Sequence, residues 1–362
     1  MPLHDVGYRP WSGQRAGAGA ASGVIATTGI RLAWTSRWLR RVVFFAWSPA
    51  LLFAGSFFAF EQSIEEGRFA SLKERAHMGH NLDGVGMLGT VLADTLGQPA
   101  DERHVSEADD IVRTRRLVWS RLLLAFMRAP QAVLLAVVVG LVAPSLISRD
   151  LRARAWLVYF TRPVGRFEYI LGKIAILATI VAAITVLPAV ALWLAGVLVS
   201  PSIRVAFETC DLPLRIVAAS AALAIPTVLI ALAYSSLTTE SRIASFAWFA
   251  TWAACWIAHA SLTTADLVAA AEAPAATARD TTDDERPPLR RANWIARAAG
   301  LDDTIDRWAW LSPYHAVGVV QAWIFGVETR PRAVLPPAVS LTVVSILSAV
   351  VLVRRVALPT RA

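Results

Sequence analysis

The sequence predicts an all-α, polytopic membrane protein. Apolar side chains make up 56% of the chain and its mean hydropathy is +0.51, both above the values of ordinary soluble domains. These side chains are gathered into runs of about 20 residues, the length that crosses a bilayer core as an α-helix. A β-barrel would show shorter segments of alternating polarity. We therefore expect six transmembrane helices, an N-terminal interfacial helix, and short outer or re-entrant helices before the last span.

The N-terminal segment, residues 1–29, is rich in Gly, Ala and Ser and is predicted to be a flexible cytoplasmic tail. Residues 30–362 then form the six-span domain. Within it, Ile30–Arg41 is predicted to be an interfacial helix, because Trp34 and Trp38 share a face with Ile30 while arginines supply charge. A simple arginine flank that fixes topology explains the same pattern, and both interpretations can hold.

Six apolar runs are long enough to cross the membrane. Pro188 in the third run and Pro226 in the fourth each remove a backbone donor, and the third span is expected to be kinked or loosened near Pro188. The predicted spans are Val42–Phe60, Gln131–Ile147, Ile174–Val199, Ile216–Leu237, Ile243–Leu262 and Ala333–Val353.

Arginine placement predicts the topology. Arginines are concentrated before the first span, after the second and after the last, which lie on one side if there are six spans. That side should be the cytoplasm, with both termini inside and two long outer loops, residues 61–130 and 263–332. Five arginines between Arg113 and Arg128 conflict with this scheme, but loops beyond about 60 residues escape the charge rule. A re-entrant segment at Gly84–Leu96 is the alternative.

The second predicted outer loop contains a sequence signal for the start of a helix. Ser312 and Pro313 have the form of an N-cap followed by proline at the first helical position. The apolar stretch Tyr314–Phe325 that follows is about 12 residues long, too short to cross the bilayer. We expect a re-entrant or interfacial helix that leads into the sixth span.

The predicted spans contain no Asp, Glu, Lys or Arg. Ion-coupled transporters usually need such charges inside the membrane, so a self-powered transporter is disfavoured. His259, near the end of the fifth span, is expected to be neutral and hydrogen-bonded. Gly165 and Gly172-Lys173 have the wrong spacing for a phosphate loop, so any ATP is expected to bind to another polypeptide.

Other function classes also lack support. The net charge of +8 does not indicate nucleic-acid binding, because the arginines flank apolar spans. Cys210 and Cys255 are too few and too far apart for a disulfide framework. His77 and His80 are spaced for one helix face but lack a third ligand, so they make a poor metal site.

The segment 148–173, between the second and third spans, is basic and aromatic. Asp150 and Arg154 are spaced to pair on a short helix, Pro163 predicts a break, and a second helix can run from Pro163 through Glu168 into the third span. The aromatic residues near the break are Trp156, Tyr159 and Phe160. Such a segment suits docking of a partner, but an interfacial loop that only satisfies topology fits the residues equally well.

This segment resembles the first cytoplasmic loop of type-2 ATP-binding-cassette (ABC) permeases, in which the loop forms a coupling helix that seats in the ATPase subunit. The matching elements are Ser148-Arg149-Asp150 with Arg152, then Tyr159-Phe160-x-Arg162-Pro163, then Arg166-x-Glu168-Tyr169 and Gly172-Lys173. The order of interfacial helix, six spans and short helices before the last span is also similar. One departure is Ala153–Trp156, where many members carry Gly-Thr.

The resemblance implies a permease subunit that couples ATP hydrolysis by a separate ATPase subunit to transport, in the direction of export. It implies a second permease subunit, identical or not, in the cell membrane. ATP and Mg would bind the partner ATPase, and this chain would hold no cofactor or metal. The residues expected to couple to the ATPase are Asp150, Arg152, Arg154, Tyr159, Phe160, Arg162, Pro163, Arg166 and Glu168.

Two other functions remain open on the residues alone. One is a membrane-embedded enzyme whose polar groups converge in the outer loops, with His77, His80 and His104 as candidates. The other is a scaffold protein, for which the loop arginines would serve topology only.

Overall fold

The computed structural model describes residues 19–65, 107–128, 132–155, 164–272 and 307–357, and in these ranges every regular element is helical. Six helical stretches are long and apolar enough to cross a membrane, and each overlaps one of the predicted spans. The all-α, multi-pass fold class is thus confirmed. The six stretches are Arg37–Gln62, Ala132–Arg152, Arg166–Val199, Asp211–Leu237, Ser241–Asp266 and Pro331–Val356.

The N-terminal helix differs from the prediction. Helix α1 comprises Ala20–Thr35 and so includes the end of the segment predicted to be a flexible tail. The chain bends at Ser36, and α2, Arg37–Glu65, carries the remaining arginines directly into the first span. Composition alone missed the early start because α1 is stabilised by packing along a distant helix, whereas its own Gly and Ser residues are poor helix formers.

Proline interrupts the third span where the sequence predicts a disturbance. After α3, Glu107–Phe126, and α4, Ala132–Arg152, the span consists of α5, Arg166–Ile184, and α6, Val186–Val199. The two helices meet at Thr185, one turn before Pro188. A proline lacks the N–H that would bond to the carbonyl four residues earlier, and its ring crowds that carbonyl, so the helix breaks there.

The remaining helices are α7, Arg204–Glu208; α8, Asp211–Leu237, with Pro226 inside it; α9, Ser241–Glu272; α10, Pro313–Ile324; and α11, Pro331–Ala357. Of these, α8 to α11 overlap their predicted positions, α9 continues beyond the predicted end at Leu262, and the short α7 was not predicted. Helix α10 begins as its sequence predicts, with Ser312 at the N-cap position and Pro313 as its first residue. It packs against α8 and α11.

Helix α3 carries most of the arginines that conflicted with the charge rule. It lies in the predicted loop 61–130 but packs into the bundle: Trp119 and Phe126 are fully inaccessible and share an apolar cluster with Phe57 and Phe60 of α2. The alternative re-entrant segment Gly84–Leu96 lies outside the described residues. Arg115 is buried with this face of α3, whereas Arg113 and Arg116 are exposed, so burial accounts for only some of these arginines.

A buried ion pair joins α3 to the end of the first span. Arg115 donates two hydrogen bonds to Glu61, at 3.0 and 3.1 Å, and the indole of Trp119 donates a third at 3.0 Å. The side chain of Glu61 is 0% exposed and that of Arg115 is 7% exposed. A second carboxylate, Glu208 of α7, lies 3.8 Å from Arg115. The first span therefore ends in a charged, satisfied network just beyond its predicted boundary at Phe60.

The bundle has two distinct ends, named here by a buried carboxylate at each. The Glu61 end contains Glu61, α7 and the start of α8. The Asp150 end contains the end of α4, the start of α5 and the turn between α8 and α9. The C-terminal Val356 of α11 belongs to the same cluster as Tyr169 at this end. The arginine-rich segments after the second and last spans therefore lie on one side of the bundle, as predicted.

We predict that Arg115→Met destabilises the protein by about 3–5 kcal/mol, because it strands the buried Glu61 carboxylate without its counter-ion. The matched control is Arg116→Met. Arg116 pairs with Asp211 at 2.8 Å, but its side chain is 50% exposed, so its loss should cost about 1 kcal/mol or less. Unfolding in detergent measures both. Equal destabilisation by the two substitutions would show that the buried ion pair contributes no more to stability than the exposed one.

Candidate functional site: the base of the loop between the second and third spans

The structure describes the two ends of the predicted coupling loop, residues 148–155 and 164–173. Tyr159, Phe160, Arg162 and Pro163 lie outside the described residues, so the helical break around Pro163 stays a prediction. The described ends converge on one small region at the Asp150 end of the bundle. We call this region the loop base; its residues are Ser148, Asp150 and Arg152 on α4, and Glu168, Tyr169 and Lys173 on α5.

Asp150 holds the two ends of the loop together. Its Oδ2 lies 2.7 Å from the Nζ of Lys173 and accepts a hydrogen bond of 2.8 Å from the Tyr169 hydroxyl. The Lys173 ammonium also lies 5.3 Å from the centre of the Tyr169 ring, within the range of a cation–π contact. The side chains of Asp150 and Lys173 are 20% and 10% exposed, so the pair is largely shielded from solvent.

The predicted pairing of Asp150 with Arg154 is wrong. Helix α4 ends at Arg152, and Arg154 adopts a left-handed backbone with φ of 50°, which takes it off the helical repeat. An ion pair between residues four apart requires that both stand on one continuous helix. Asp150 is instead paired across the interface with α5, and Arg154 is exposed.

The side chain of Ser235, in the fourth span, forms hydrogen bonds with the backbone of α4 just before Asp150. Pro144 interrupts the hydrogen-bond ladder of α4. The Ser235 hydroxyl donates to the Pro144 carbonyl at 2.8 Å and accepts from the N–H groups of Ile147 and Ser148, both at 3.1 Å. In return, the Ser148 hydroxyl donates to the Ser235 carbonyl at 2.9 Å. Ser148 and Ser235 are both fully buried. We call this set of hydrogen bonds the Ser235 lock, and it fixes α4 on α8 inside the bundle.

The turn between α8 and α9 contacts the loop base from the other side. Arg152 donates to the carbonyl of Thr239 at 3.2 Å and to the carboxylate of Glu240 at 2.6 Å. Both charged side chains are about half exposed, so the pair adds little free energy. Its effect is positional, since it ties the end of α4 to the start of α9.

Glu168 links the loop to the N-terminal helix. Its carboxylate accepts a hydrogen bond of 2.9 Å from the N–H of Gly165, which caps the start of α5, and another of 2.8 Å from the N–H of Gly19, just before α1. Gly165 is the N-cap residue, so α5 starts at Arg166, later than the predicted start at Pro163. Arg166 itself is exposed beside the cap.

Two glycines let α1 lie directly on α5. A Cβ added at Gly172 would come within 2.7 Å of Ile25, and one added at Gly29 would collide with Ile176. At Gly172 the Cβ of Ile25 and the carbonyl of Ser22 leave little room for a larger residue, whereas at Gly29 the obstacle is the movable end of the Ile176 side chain. As a result α1 runs along α5 from the Glu168 cap towards the middle of the third span, and any movement of α5 must displace α1 or break this contact.

The loop base contains no arrangement for catalysis. Its groups form a saturated set of ion pairs and hydrogen bonds around backbone, which can hold and transmit position but offer no free nucleophile or open ligand position. Across the described ranges, no three His, Cys, Asp or Glu side chains are grouped to hold a metal. The enzyme candidates His77, His80 and His104 lie outside the described residues.

Comparison with known families agrees with this organisation. The family model described as "ABC-2 family transporter protein" matches residues 34–357, almost all of the chain. The chain belongs to the ABC-2 transporter family. It is therefore a multi-pass ABC transporter permease, as its coupling-loop motifs predict. No individually curated protein matches the sequence significantly.

Several residues that form the loop base or contact it were not among the predicted coupling residues. Tyr169 and Lys173 stood in the quoted motif without an assigned role, and Ser235 and Glu240 were not singled out at all. A serine late in an apolar span is a weak signal in a single sequence. Only the contact with α4 distinguishes Ser235 from the adjacent Ser236, whose hydroxyl bonds within its own helix.

We predict that Ser235→Ala destabilises the permease by about 1–3 kcal/mol, because the buried hydrogen bonds that join its hydroxyl to Pro144, Ile147 and Ser148 of α4 are lost. Ser236→Ala is the matched control. The Ser236 hydroxyl donates only to Ala233 of the same helix, so its loss should cost less than about 1 kcal/mol. Thermal unfolding in one detergent would compare them, and equal destabilisation would contradict the lock.

Proposed function

We propose that this permease couples ATP hydrolysis by a separate ATPase subunit to export across the cell membrane, through the loop 148–173. The observation that carries the proposal is the rigid anchoring of both loop ends by the Asp150–Lys173 pair and the Ser235 lock. A loop that transmits force needs ends that cannot yield, whereas a loop that only satisfies topology needs no such anchoring.

The proposed coupling runs through packed elements. Closure of two ATPases around ATP and Mg, which this chain would not itself bind, presses on the loop between Asp150 and Glu168. The Asp150–Lys173 pair makes α4 and α5 respond together, and the Ser235 lock passes the displacement to α8. Glu168 carries α1 with them through Gly19. This is coupling between rigid elements that have two arrangements.

Two permease subunits, identical or different, would pair and open a path between them when the ATPases close. The arginine-rich segments after the second and last spans support a cytoplasmic position for the Asp150 end and for both termini, by the positive-inside rule. The export direction is supported by the resemblance of the order of parts to family exporters. The charge-free centres of the predicted spans favour an apolar or amphipathic cargo.

The loop supplies the first test of coupling. We expect Arg162→Ala and Pro163→Ala to lower permease-dependent ATPase activity by about tenfold, the loss of one strong docking contact, while membrane insertion is unchanged. Copurification with the ATPase subunit should weaken in parallel. Arg204→Ala is the control, because Arg204 is exposed at the opposite end of the bundle and pairs only with Glu208 of its own helix. Normal coupling in both loop variants would overturn the proposal.

The loop base supplies a second test, which separates coupling from docking. Asp150→Asn removes the counter-ion of Lys173, so we expect copurification with the ATPase to persist while transport per ATP hydrolysed falls about tenfold. This corresponds to roughly 1.4 kcal/mol of lost coupling. The charge exchange Asp150→Lys with Lys173→Asp should recover part of the transport, since it restores an ion pair across α4 and α5. Equal loss in the exchanged double variant would show that the pair itself carries no coupling.

A further inference from the structure

The junction between α1 and α2 concentrates positive charge without compensation. Arg31 lies near the end of α1, and Arg37, Arg40 and Arg41 open α2. All are exposed, and in the described parts of the chain none of these guanidinium groups forms an ion pair or a hydrogen bond. This differs from the loop base and the Glu61 end, where arginines and lysine meet carboxylates. Among the described residues this cluster has no counter-ion, so it favours an anion supplied by the surroundings.

Two of these arginines face a cavity. A space of about 870 Å³ lies between α1, α2 and α5, and both Arg31 and Arg40 line it. Its other walls are largely apolar and include Ile30, Trp34 and Ile180. This volume is within the usual range of ligand sites. A second space of about 530 Å³ adjoins it through Arg40 and is lined by Phe44.

The position of the cavity restricts the occupant. The first membrane-crossing stretch begins at Arg37, so the cavity lies where a span meets the headgroup layer. Below it, α2 presents Phe44 and Leu52, which are 83% and 77% exposed, towards the acyl region. Free phosphate would neutralise the arginines but leave the partly exposed Ile30 and the exposed Trp34 uncovered. A zwitterionic lipid would cover the apolar walls and supply a phosphate, but its own cation would offset that charge and leave the net positive charge of the arginines uncompensated.

We propose that the cavity between α1, α2 and α5 binds an anionic phospholipid. Arg31 and Arg40 hold its phosphate through charge-assisted hydrogen bonds, and its acyl chains lie against Ile30 and Ala183. Trp34 stands at the level of the headgroup, the position that tryptophan favours in membranes. Because the arginines come from different helices, the lipid braces the bend at Ser36 and holds α1 on α5. This site does not depend on the proposed coupling to an ATPase.

The test is native mass spectrometry of the full chain in detergent, titrated with dioleoyl-phosphatidylglycerol, dioleoyl-phosphatidylcholine or inorganic phosphate. One phosphatidylglycerol should bind per chain, at least about tenfold more tightly than phosphatidylcholine, as expected for charged hydrogen bonds. Arg31→Gln and Arg40→Gln should each weaken that binding at least about tenfold. The control Arg242→Gln removes an exposed arginine of α9 and should weaken it less than about threefold.

A further variant tests the placement of the acyl chains. Thr179 lines the cavity, is exposed, and bonds only to the Ala175 carbonyl of its own helix, so Thr179→Trp should fill the cavity without unfolding α5. It should reduce phosphatidylglycerol binding about tenfold while both arginines remain. Circular dichroism and gel filtration verify that each variant is folded.

Three outcomes would overturn the proposal. Equal effects of Arg31→Gln, Arg40→Gln and Arg242→Gln would indicate diffuse attraction of anionic lipid to a basic surface. Competition by inorganic phosphate at the concentration at which phosphatidylglycerol saturates would indicate a site for a free anion. Unchanged binding in Thr179→Trp would place the lipid outside this cavity.

Discussion

The arrangement of the described helices depends on the hydrogen bonds that the Ser235 hydroxyl makes with α4. Pro144 has no N–H to donate to the carbonyl one turn earlier, and in an apolar environment an unpaired backbone group is expensive. Beside this weak point the Ser235 hydroxyl donates to the Pro144 carbonyl and accepts from the N–H groups of Ile147 and Ser148, so α8 adds hydrogen bonds to this stretch of α4. The contact between these helices is the most extensive of all those among the described helices. It fixes the end of α4 and thereby the position of Asp150, from which the loop between the second and third spans departs.

The sequence allows the spans to be predicted because hydropathy is a local property that needs no knowledge of neighbours. The start of α10 was predictable for the same reason, since Ser312 and Pro313 carry the signal themselves. The pairings were not predictable. Asp150 binds Tyr169, 19 residues away, and not Arg154, only four positions along the chain, and Glu61 binds Arg115, 54 residues away. Such partners are chosen by the packing of helices, and one sequence contains no record of that packing.

Charge in this protein is placed according to the cost of burying it. The two most enclosed ion pairs, Glu61–Arg115 and Asp150–Lys173, lie at opposite ends of the helices, where chains leave the apolar region. In the middle of the bundle the contacts are made by apolar clusters around Phe126 and Leu223 and by serine and threonine hydroxyls that bond to backbone. The ends of the spans are therefore specified by polar chemistry, and their centres by shape and volume.

The break at Thr185 divides the third span between two neighbourhoods. Helix α5 packs on α1, α4 and the Leu223 cluster, whereas α6 packs on α2 and α3 in the Phe126 cluster. A rotation about Thr185 would move the half that carries Lys173 and Glu168 while the half that carries Leu192 kept its neighbours. The span would therefore bend at Thr185 rather than slide along its axis as one rigid helix. A displacement applied at the Asp150 end would be turned into a change of angle at Thr185, and the helices at the Glu61 end could keep their packing.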